Sequence, residues 1–407
     1  MAKYTTIKGN AKAEVIEISR WKAGGYITDI ATKYPKSDPY NFNARKSYAG
    51  GLYKVQAGKG NDVITLSGIG TNVRSGQKIY GEAGKDAIRL TDNAGNSHYI
   101  NGGAGNDTID INSGNKHKVY GGAGNDTIEV SVHVDRVGWY MGGGASFAHS
   151  TPVKKVSGVK VYGGNGVDSI NIGFDKNTRV YGENQNDKMI AIKSNASYLY
   201  GGNGNDKIAV QDSKNMKVDG NAGRDYIYIN GTSTGKFSGG SGNDYIGASE
   251  NTKSATMAGG AGNDTYEIAR TLSGEAKIVI DQTTAGKKDV DKLKIAGSSK
   301  DFVKQFKYSN GNMIIYAQSG ATVTIKGWKK AALAEIDFLG KEKLTKKQIN
   351  ELAGISVSAP GKVSEVRMEA LKAAEIDFPN SAVVGSTKLD VLGSEDKQKV
   401  QIVATKG

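Results

Sequence analysis

The sequence predicts an all-β protein: a right-handed parallel β-solenoid (β-roll) with a 19-residue coil, a strand-rich cap and a small mixed α+β tail. Glycine makes up 56 of the 407 residues, about twice its usual share of ~7%. A glycine- and aspartate-rich phrase recurs at a fixed period, and apolar residues alternate after each copy. The chain has no cysteine, so its stability must come from a core, from self-association or from a metal with oxygen ligands.

The repeated phrase has the form GGxGxD and occurs ten times, six of them strict. Each copy closes on an aspartate, and most successive aspartates are 19 residues apart. The closing aspartates are Asp62, Asp86, Asp107, Asp126, Asp168, Asp187, Asp206, Asp225, Asp244 and Asp264. The strict copies open with Gly102, Gly121, Gly163, Gly201, Gly239 and Gly259. A degenerate earlier copy places Glu14 in the aspartate position and Ile7 seven residues before it.

The residues around each aspartate predict two short strands per coil. An apolar residue stands seven positions before every aspartate, and others follow at two and four positions after most of them, as Ile128 and Val130 follow Asp126. This period of two is typical of strands with one buried face. At Asp187 the pattern favours a shift by one residue, with Ile190 and Ile192 turned inward. A single coil cannot bury its inner face, so the coils must stack.

The pattern divides the chain into four parts. Residues 1–50 form an N-terminal coil with an aromatic-rich insertion, and residues 51–270 form the solenoid, with an insertion at about 132–157. Residues 271–340 contain alternating strands and are expected to cap the last coil, since a solenoid needs its open edge covered. Residues 341–407 form the tail, where Thr345 and Gly354 are expected to cap a short helix.

These phrases resemble the RTX (repeats-in-toxin) family of calcium-binding β-roll proteins, most strongly over residues 51–270. The resemblance implies that the ten aspartates supply carboxylates, and the six opening glycines backbone carbonyls, to several Ca2+ ions in one row. It also implies an export signal for a type I channel within residues 341–407. A metal-free solenoid is the alternative, but a row of carboxylates ~4.8 Å apart would repel itself without cations.

Two further features indicate a binding surface or simple protection of the fold. The two insertions are rich in aromatic residues and could either bind a partner or cover the roll. Basic residues in and near the return turns form a basic ridge that could hold an anionic polysaccharide or merely stay solvated. The ridge consists of Lys116, Lys118, Arg179, Lys193, Lys214, Lys217, Lys236 and Lys253.

Three common enzyme motifs are missing from the sequence. The four histidines have no H-E-x-x-H spacing, and neither a G-x-S-x-G elbow nor a P-loop is present. The net charge of +13 is spread along the chain, so we expect no nucleic-acid partner, and no apolar run is long enough to span a membrane. The N-terminal residues contain no apolar signal segment.

Together these features predict a non-catalytic, calcium-binding protein that folds when it binds calcium. We expect it outside the cell or on a bacterial surface, exported without an N-terminal signal peptide, as an S-layer or adhesin-like component that associates with itself. The alternative is a module that binds anionic surface polysaccharide through the basic ridge and the aromatic insertions.

Overall fold

A computed structural model describes most of the chain. The described residues are 4–23, 26–35, 46–49, 51–69, 73–91, 93–130, 156–231, 234–286, 288–296, 302–328, 333–338, 342–353, 365–367, 381–384, 387–392 and 399–406. They belong to two compact units, Met1–Val218 and Asp219–Gly407. The predicted insertion at 132–157 falls almost entirely outside the described residues.

The first unit is a parallel β-solenoid with two facing sets of strands. Its first sheet contains, in spatial order, β1 (Thr5–Asn10), β5 (Tyr53–Gly58), β7 (Lys78–Ala83), β9 (Tyr99–Ala104), β11 (Lys118–Ala123), β13 (Lys160–Asn165), β15 (Arg179–Asn184) and β17 (Tyr198–Asn203). Its second sheet contains β4 (Lys46–Ala49), β3 (Tyr26–Pro35), β2 (Glu14–Ala23), β6 (Val63–Ile69), β8 (Ala87–Leu90), β10 (Thr108–Ile111), β12 (Thr127–Val130), β14 (Ser169–Gly173), β16 (Lys188–Ile192) and β18 (Lys207–Gln211). Each coil contributes one strand to each sheet, as the repeat predicted.

The apolar positions of the repeat form the core. The residues seven before each aspartate stack in register, as Val119 does between Ile100 and Val161, and each is fully buried. Ile109 and Ile128 pair in the second sheet and are equally buried. Burying one such side chain is worth about 1.5–3 kcal/mol, so stacking repeats these gains in every coil.

Both insertions leave the coil stack in register. Strands β11 and β12 pair directly with β13 and β14, although 42 residues separate Asp126 from Asp168. Likewise β1 and β2, which contain Ile7 and Glu14, pair with β5 and β6. Within the first insertion, β3 and β4 continue the second sheet as antiparallel strands. This arrangement extends the edge of the sheet.

One prediction about register is wrong. In β16, Met189 pairs with Ile170 and Ile208, and Ala191 pairs with Ile172 and Val210, so the strand follows its neighbours without a shift. Met189 and Ala191 are both fully buried, whereas Ile190 and Ile192 keep a small exposed fraction. Apolar residues on both faces of this strand made its inner face ambiguous from the sequence.

The second unit has the same kind of coil and ends in the predicted strand-rich module. One sheet contains β21 (Thr234–Ser241), β23 (Ser254–Ala261), β25 (Lys277–Asp281), β29 (Thr322–Lys326), β28 (Asn312–Ala317) and β27 (Val303–Ser309). The other contains β20 (Tyr226–Asn230), β22 (Tyr245–Ala248), β24 (Thr265–Ile268), β26 (Asp291–Ile295), β30 (Leu333–Asp337) and β31 (Lys343–Thr345). Strand β19 (Lys214–Ala222) contains the division between the units. Strands β27, β28 and β31 are antiparallel to their neighbours, so the parallel stack ends there.

The tail is mixed, as predicted. Helix α1 (Lys346–Ala353) begins after Thr345, whose side chain bonds with Gln348 in a capping box. A small antiparallel sheet follows, with the strand order β32 (Glu365–Arg367), β35 (Lys399–Lys406), β34 (Thr387–Leu392) and β33 (Ser381–Val384). Gly354, the expected helix C-cap, lies outside the described residues. No helix among the described residues is long and apolar enough to cross a bilayer.

Candidate metal centre

The closing aspartate of each coil lies inside the turn that connects the two sheets. In one coil, β11 ends at Ala123, the turn runs through Gly124 and Asn125, and Asp126 directly precedes β12. All ten aspartates are at most 2% exposed. Buried carboxylates at this density are costly unless hydrogen bonds or cations compensate them.

One oxygen of each carboxylate takes part in a ladder between coils. The Oδ1 of Asp126 accepts a hydrogen bond from the backbone N–H of Asp107 at 2.8 Å, and the Oδ1 of Asp168 accepts one from Asp126 at 2.8 Å. The same bond joins Asp62 to Asp86, Asp86 to Asp107, Asp168 to Asp187 and Asp187 to Asp206 in the first unit. In the second unit it joins Asp225 to Asp244 and Asp244 to Asp264. Each aspartate therefore holds its neighbouring coil in register.

The second carboxylate oxygen points into the turn. Among the described residues, the Oδ2 atom has no hydrogen-bond partner and no solvent exposure in six aspartates: Asp107, Asp126, Asp168, Asp187, Asp244 and Asp264. This oxygen lies against the glycine that opens its own turn. A Cβ added at Gly121 would overlap the Oδ2 of Asp126 and would lie 2.6 Å from the carbonyl oxygen of Gly163 in the next coil. The absence of a side chain thus leaves a carboxylate and a backbone carbonyl facing the same place.

Burial makes these carboxylates reluctant to ionise. Loss of hydration raises the pKa of Asp107 and Asp126 to about 7 and that of Asp187 to about 8, while the backbone hydrogen bond to each opposes the change. The charges of neighbouring aspartates raise these pKa values further. A metal-free row at neutral pH therefore carries unfavourable buried charge, which a bound cation would neutralise.

The donor set fits calcium. Carboxylate and carbonyl oxygens are hard ligands, which Ca2+ accepts in irregular geometries and in high number. The described residues contain no cluster of three or more acidic or histidine side chains that could hold an ion. Each coil therefore contributes one carboxylate, and turn carbonyls such as that of Gly163 would have to supply the other oxygens. When bound, the ion would supply positive charge and coordination that hold adjacent turns together.

All ten aspartates predicted as calcium ligands occupy equivalent buried positions. Gly102, Gly121, Gly163, Gly239 and Gly259 each lie against the Oδ2 of their own aspartate, and the carbonyl of Gly201 lies beside Gly182. The role of these residues as ligands remains a proposal.

Sequence reasoning missed four residues of this row. Gly81, Gly182 and Gly220 open degenerate turns, yet they contact their aspartates in the same way as the strict copies. Asp291 extends the row, because its Oδ1 accepts the N–H of Asp264 at 2.8 Å. Its signal was the apolar pair Leu293 and Ile295 at two and four positions after it, but a longer turn hid the 19-residue period.

Comparison with known families agrees with this geometry. A family model for the RTX calcium-binding nonapeptide repeat matches the chain in four copies, over residues 89–115, 118–131 and 196–210. These ranges contain the turns that close on Asp107, Asp126 and Asp206. The coils carry RTX calcium-binding repeats. Calcium is the ion expected of RTX repeats, and the repeats of this chain form a β-solenoid. No curated protein was found to be similar to the chain.

A second ladder inside the RTX coils contains two buried histidines. The Nδ1 of His98 accepts the N–H of Gln77 at 2.9 Å, and the Nδ1 of His117 accepts the N–H of His98 at 3.2 Å. The opposite ring nitrogens bond to the carbonyls of Ala94 and Ser113, and the rings stack 5.0 Å apart. Burial lowers the pKa of His98 to about 4 and that of His117 to about 3. Protonation of Nδ1 would remove the acceptor that the ladder needs.

This pair predicts sensitivity to acid. The folded-state pKa values lie below the unfolded value of 6.5. The stability that depends on the neutral histidines is therefore present above pH 6.5 and is lost as the pH falls towards 4. At pH 5 each histidine is expected to lower the free energy of unfolding by about 2 kcal/mol. Replacing His117 with Gln, the residue type at position 77, should reduce the loss of stability between pH 7.5 and pH 5, measured by urea unfolding in saturating calcium. An unchanged loss in His117→Gln would contradict this role.

Proposed function

We propose that this protein is an exported structural component that folds on calcium outside the cell and forms part of a surface layer or extracellular matrix, as S-layer or adhesin proteins do. Its RTX repeats form a calcium-binding β-solenoid, and the observation that carries the proposal is the row of buried carboxylates, together with the unpartnered Oδ2 atoms of Asp107, Asp126, Asp168, Asp187, Asp244 and Asp264. A fold with this feature depends on its cation, because metal binding and folding share one free energy.

Because folding depends on calcium, the chain would stay unfolded inside the cell and fold only outside it. Cytosolic calcium is scarce, so the coils would stay open and able to pass a channel. Extracellular calcium in the millimolar range would occupy several sites, and each occupied site adds stability. We propose that residues 341–407 direct export through a type I channel and that the protein acts outside the cell or at a bacterial surface.

We further propose that the protein is not an enzyme. The sequence offers none of the motifs sought, and the closing aspartates of the coils are engaged in the ladder. Two of the four histidines, His98 and His117, are buried with both ring nitrogens bonded. These groups are therefore poorly placed to reach a substrate.

The structural role is tested by static light scattering over a concentration series, with chelator and with ~2 mM calcium. Growth into large particles that requires calcium and reverses on chelation is the expected result. A compact monomer at every concentration in calcium would contradict a self-assembling layer. Magnesium at the same concentration is the control, because non-specific charge neutralisation would act with either ion.

The polysaccharide alternative remains open. Every member of the predicted basic ridge is exposed, but the ridge is not one column. Lys118 and Arg179 lie on the outer face of the first sheet, whereas Lys116, Lys193 and Lys214 lie in or beside the return turns. Lys118 and Arg179 have neighbours on that outer face that the sequence alone did not connect with them.

A further inference from the structure

The outer face of the first sheet, within the unit Met1–Val218, carries a continuous stack of tyrosines. Tyr120, Tyr162, Tyr181 and Tyr200 occupy the same position in four successive coils. Their ring centroids are 4.6, 4.9 and 5.1 Å apart, and the rings are within 9° of parallel. Tyr80 occupies the same position two coils before Tyr120. In the coil between them Tyr99 stands two residues before that position and links the two through tilted ring contacts, with centroid spacings of 5.4 Å to Tyr80 and 5.2 Å to Tyr120. We call these six residues the tyrosine ladder.

A column of cations runs beside the tyrosine ladder. Two residues before the ladder position, on the same outer face, stand Lys54, Lys78, Lys118, Lys160 and Arg179, with Tyr99 in place of a cation in the coil between Lys78 and Lys118. We call these five residues the cationic column. The Nζ of Lys54 lies 5.5 Å from the ring centre of Tyr80, so the two features are in contact. Glu82 and Glu183 stand two residues beyond the ladder position, towards the turns that contain the closing aspartates. Cations therefore outnumber carboxylates on this face.

The repeat of this face selects the kind of partner. Three successive coils present the same pair, a cation and a tyrosine, at the spacing of neighbouring strands, about 4.8 Å, and the coil of Lys78 and Tyr80 presents it once more. A linear polymer lying along the stack would meet the same pair of groups at each step, which a globular protein surface would not. Multiple weak contacts of this kind add up through avidity. The cationic column requires that the polymer be anionic.

The orientation of the rings selects between anionic polymers. Nucleic-acid bases bind aromatic residues by stacking on free ring faces. In the tyrosine ladder the ring faces of the inner members are covered by neighbouring rings. The phenol hydroxyls form an outer row that can donate to and accept from hydroxyl and carboxylate groups. This pattern suits an acidic polysaccharide better than a nucleic acid.

We infer that the tyrosine ladder and the cationic column together bind a linear, uronate-containing polysaccharide laid along the stack of coils. The cations pair with the carboxylates of the sugar chain, and the phenol hydroxyls bond to its hydroxyl groups. This inference deepens the polysaccharide alternative and gives it a surface separate from the aspartate row and the insertions. It requires the folded coils but not self-assembly, so it stands or falls independently of the proposed structural role.

The test measures binding of sized hyaluronan oligosaccharides to the full chain in saturating calcium, with circular dichroism to confirm folding of each variant. Removing the charges in Lys118→Gln/Lys160→Gln/Arg179→Gln should weaken binding about tenfold. Removing the hydroxyls in Tyr120→Phe/Tyr162→Phe/Tyr181→Phe keeps the stack and should also weaken binding. A matched triple, Arg89→Gln/Lys188→Gln/Lys207→Gln, removes equal charge from the outer face of the second sheet and should bind as the unchanged protein does.

Three results would overturn the inference. The first is equal weakening by the two charge-removing triples, which would show that binding depends only on the net charge of the protein. The second is unchanged binding in the phenylalanine variant, which would remove the tyrosine ladder from the site. The third is binding of single-stranded poly(dT) as tight as that of hyaluronan, which would indicate a nucleic-acid surface instead. Binding of hyaluronan that falls with added salt and is absent for a neutral glucan supports it.

Discussion

Replacing Asp126 with Asn is expected to stabilise the metal-free protein and to weaken the calcium-bound one. The asparagine can still accept the N–H of Asp107, so the ladder bond of 2.8 Å is retained. It carries no charge, however, and burial raises the pKa of Asp126 to about 7 because ionisation there is unfavourable. At pH 7.5 without metal, the variant should therefore gain on the order of 2–4 kcal/mol. With calcium it should lose stability, because an amide oxygen is a weaker ligand than a carboxylate.

Urea unfolding of the variant and the unchanged protein in saturating calcium measures the loss. In chelator, where the coils are expected to open, the concentration of the osmolyte TMAO that refolds each protein measures the gain. The matched control is Asp110→Asn, which removes a carboxylate from the outward position of β10 in the neighbouring coil, between the buried Ile109 and Ile111. We expect that control to change the calcium response little. Loss of stability in Asp126→Asn under both conditions would show that the carboxylate has a purely structural role.

Withdrawal of calcium from the unchanged protein is expected to have a larger effect, namely the opening of the RTX coils. Each coil would then keep a buried carboxylate without a cation, and neighbouring carboxylates repel one another along the row. The glycine-rich turns add a large gain in chain entropy on opening. The buried apolar columns oppose this, yet each coil contributes only a few apolar side chains, such as Val119, Ile128 and Val130. We expect loss of far-UV β signal and a larger hydrodynamic radius in chelator, both restored by calcium.

The parts of the fold that could be predicted are those set by short-range repetition. The apolar residue seven before each aspartate and the pair after it determine which side chains face inward, so the two sheets followed directly. Ile7 and Glu14 sufficed to place the first coil, although 48 residues separate Glu14 from Asp62, because the register of a coil depends on its own residues. The buried position of the aspartates follows from the same period.

The features that escaped prediction depend on contacts between coils. Met189 could be assigned to the inner face only from its pairing with Ile170 and Ile208, since Ile190 competes for that face within the strand. The bond that Asp291 accepts from Asp264 assigns it to the row, because its longer turn breaks the period and hides the apolar pair that follows it. The tyrosine ladder was visible as isolated tyrosines in the sequence, but stacking distances of about 5 Å exist only once the coils are in register.

The most direct test of calcium-driven folding is a titration of the full chain from excess chelator into calcium, followed by circular dichroism and by hydrodynamic radius on a light-scattering column. The account predicts an expanded chain in chelator that becomes compact, cooperatively, before calcium reaches ~2 mM. Magnesium over the same range should not reproduce the transition. A chain that is equally compact and β-rich in chelator and in calcium would contradict the claim that the aspartate row needs its ion to fold.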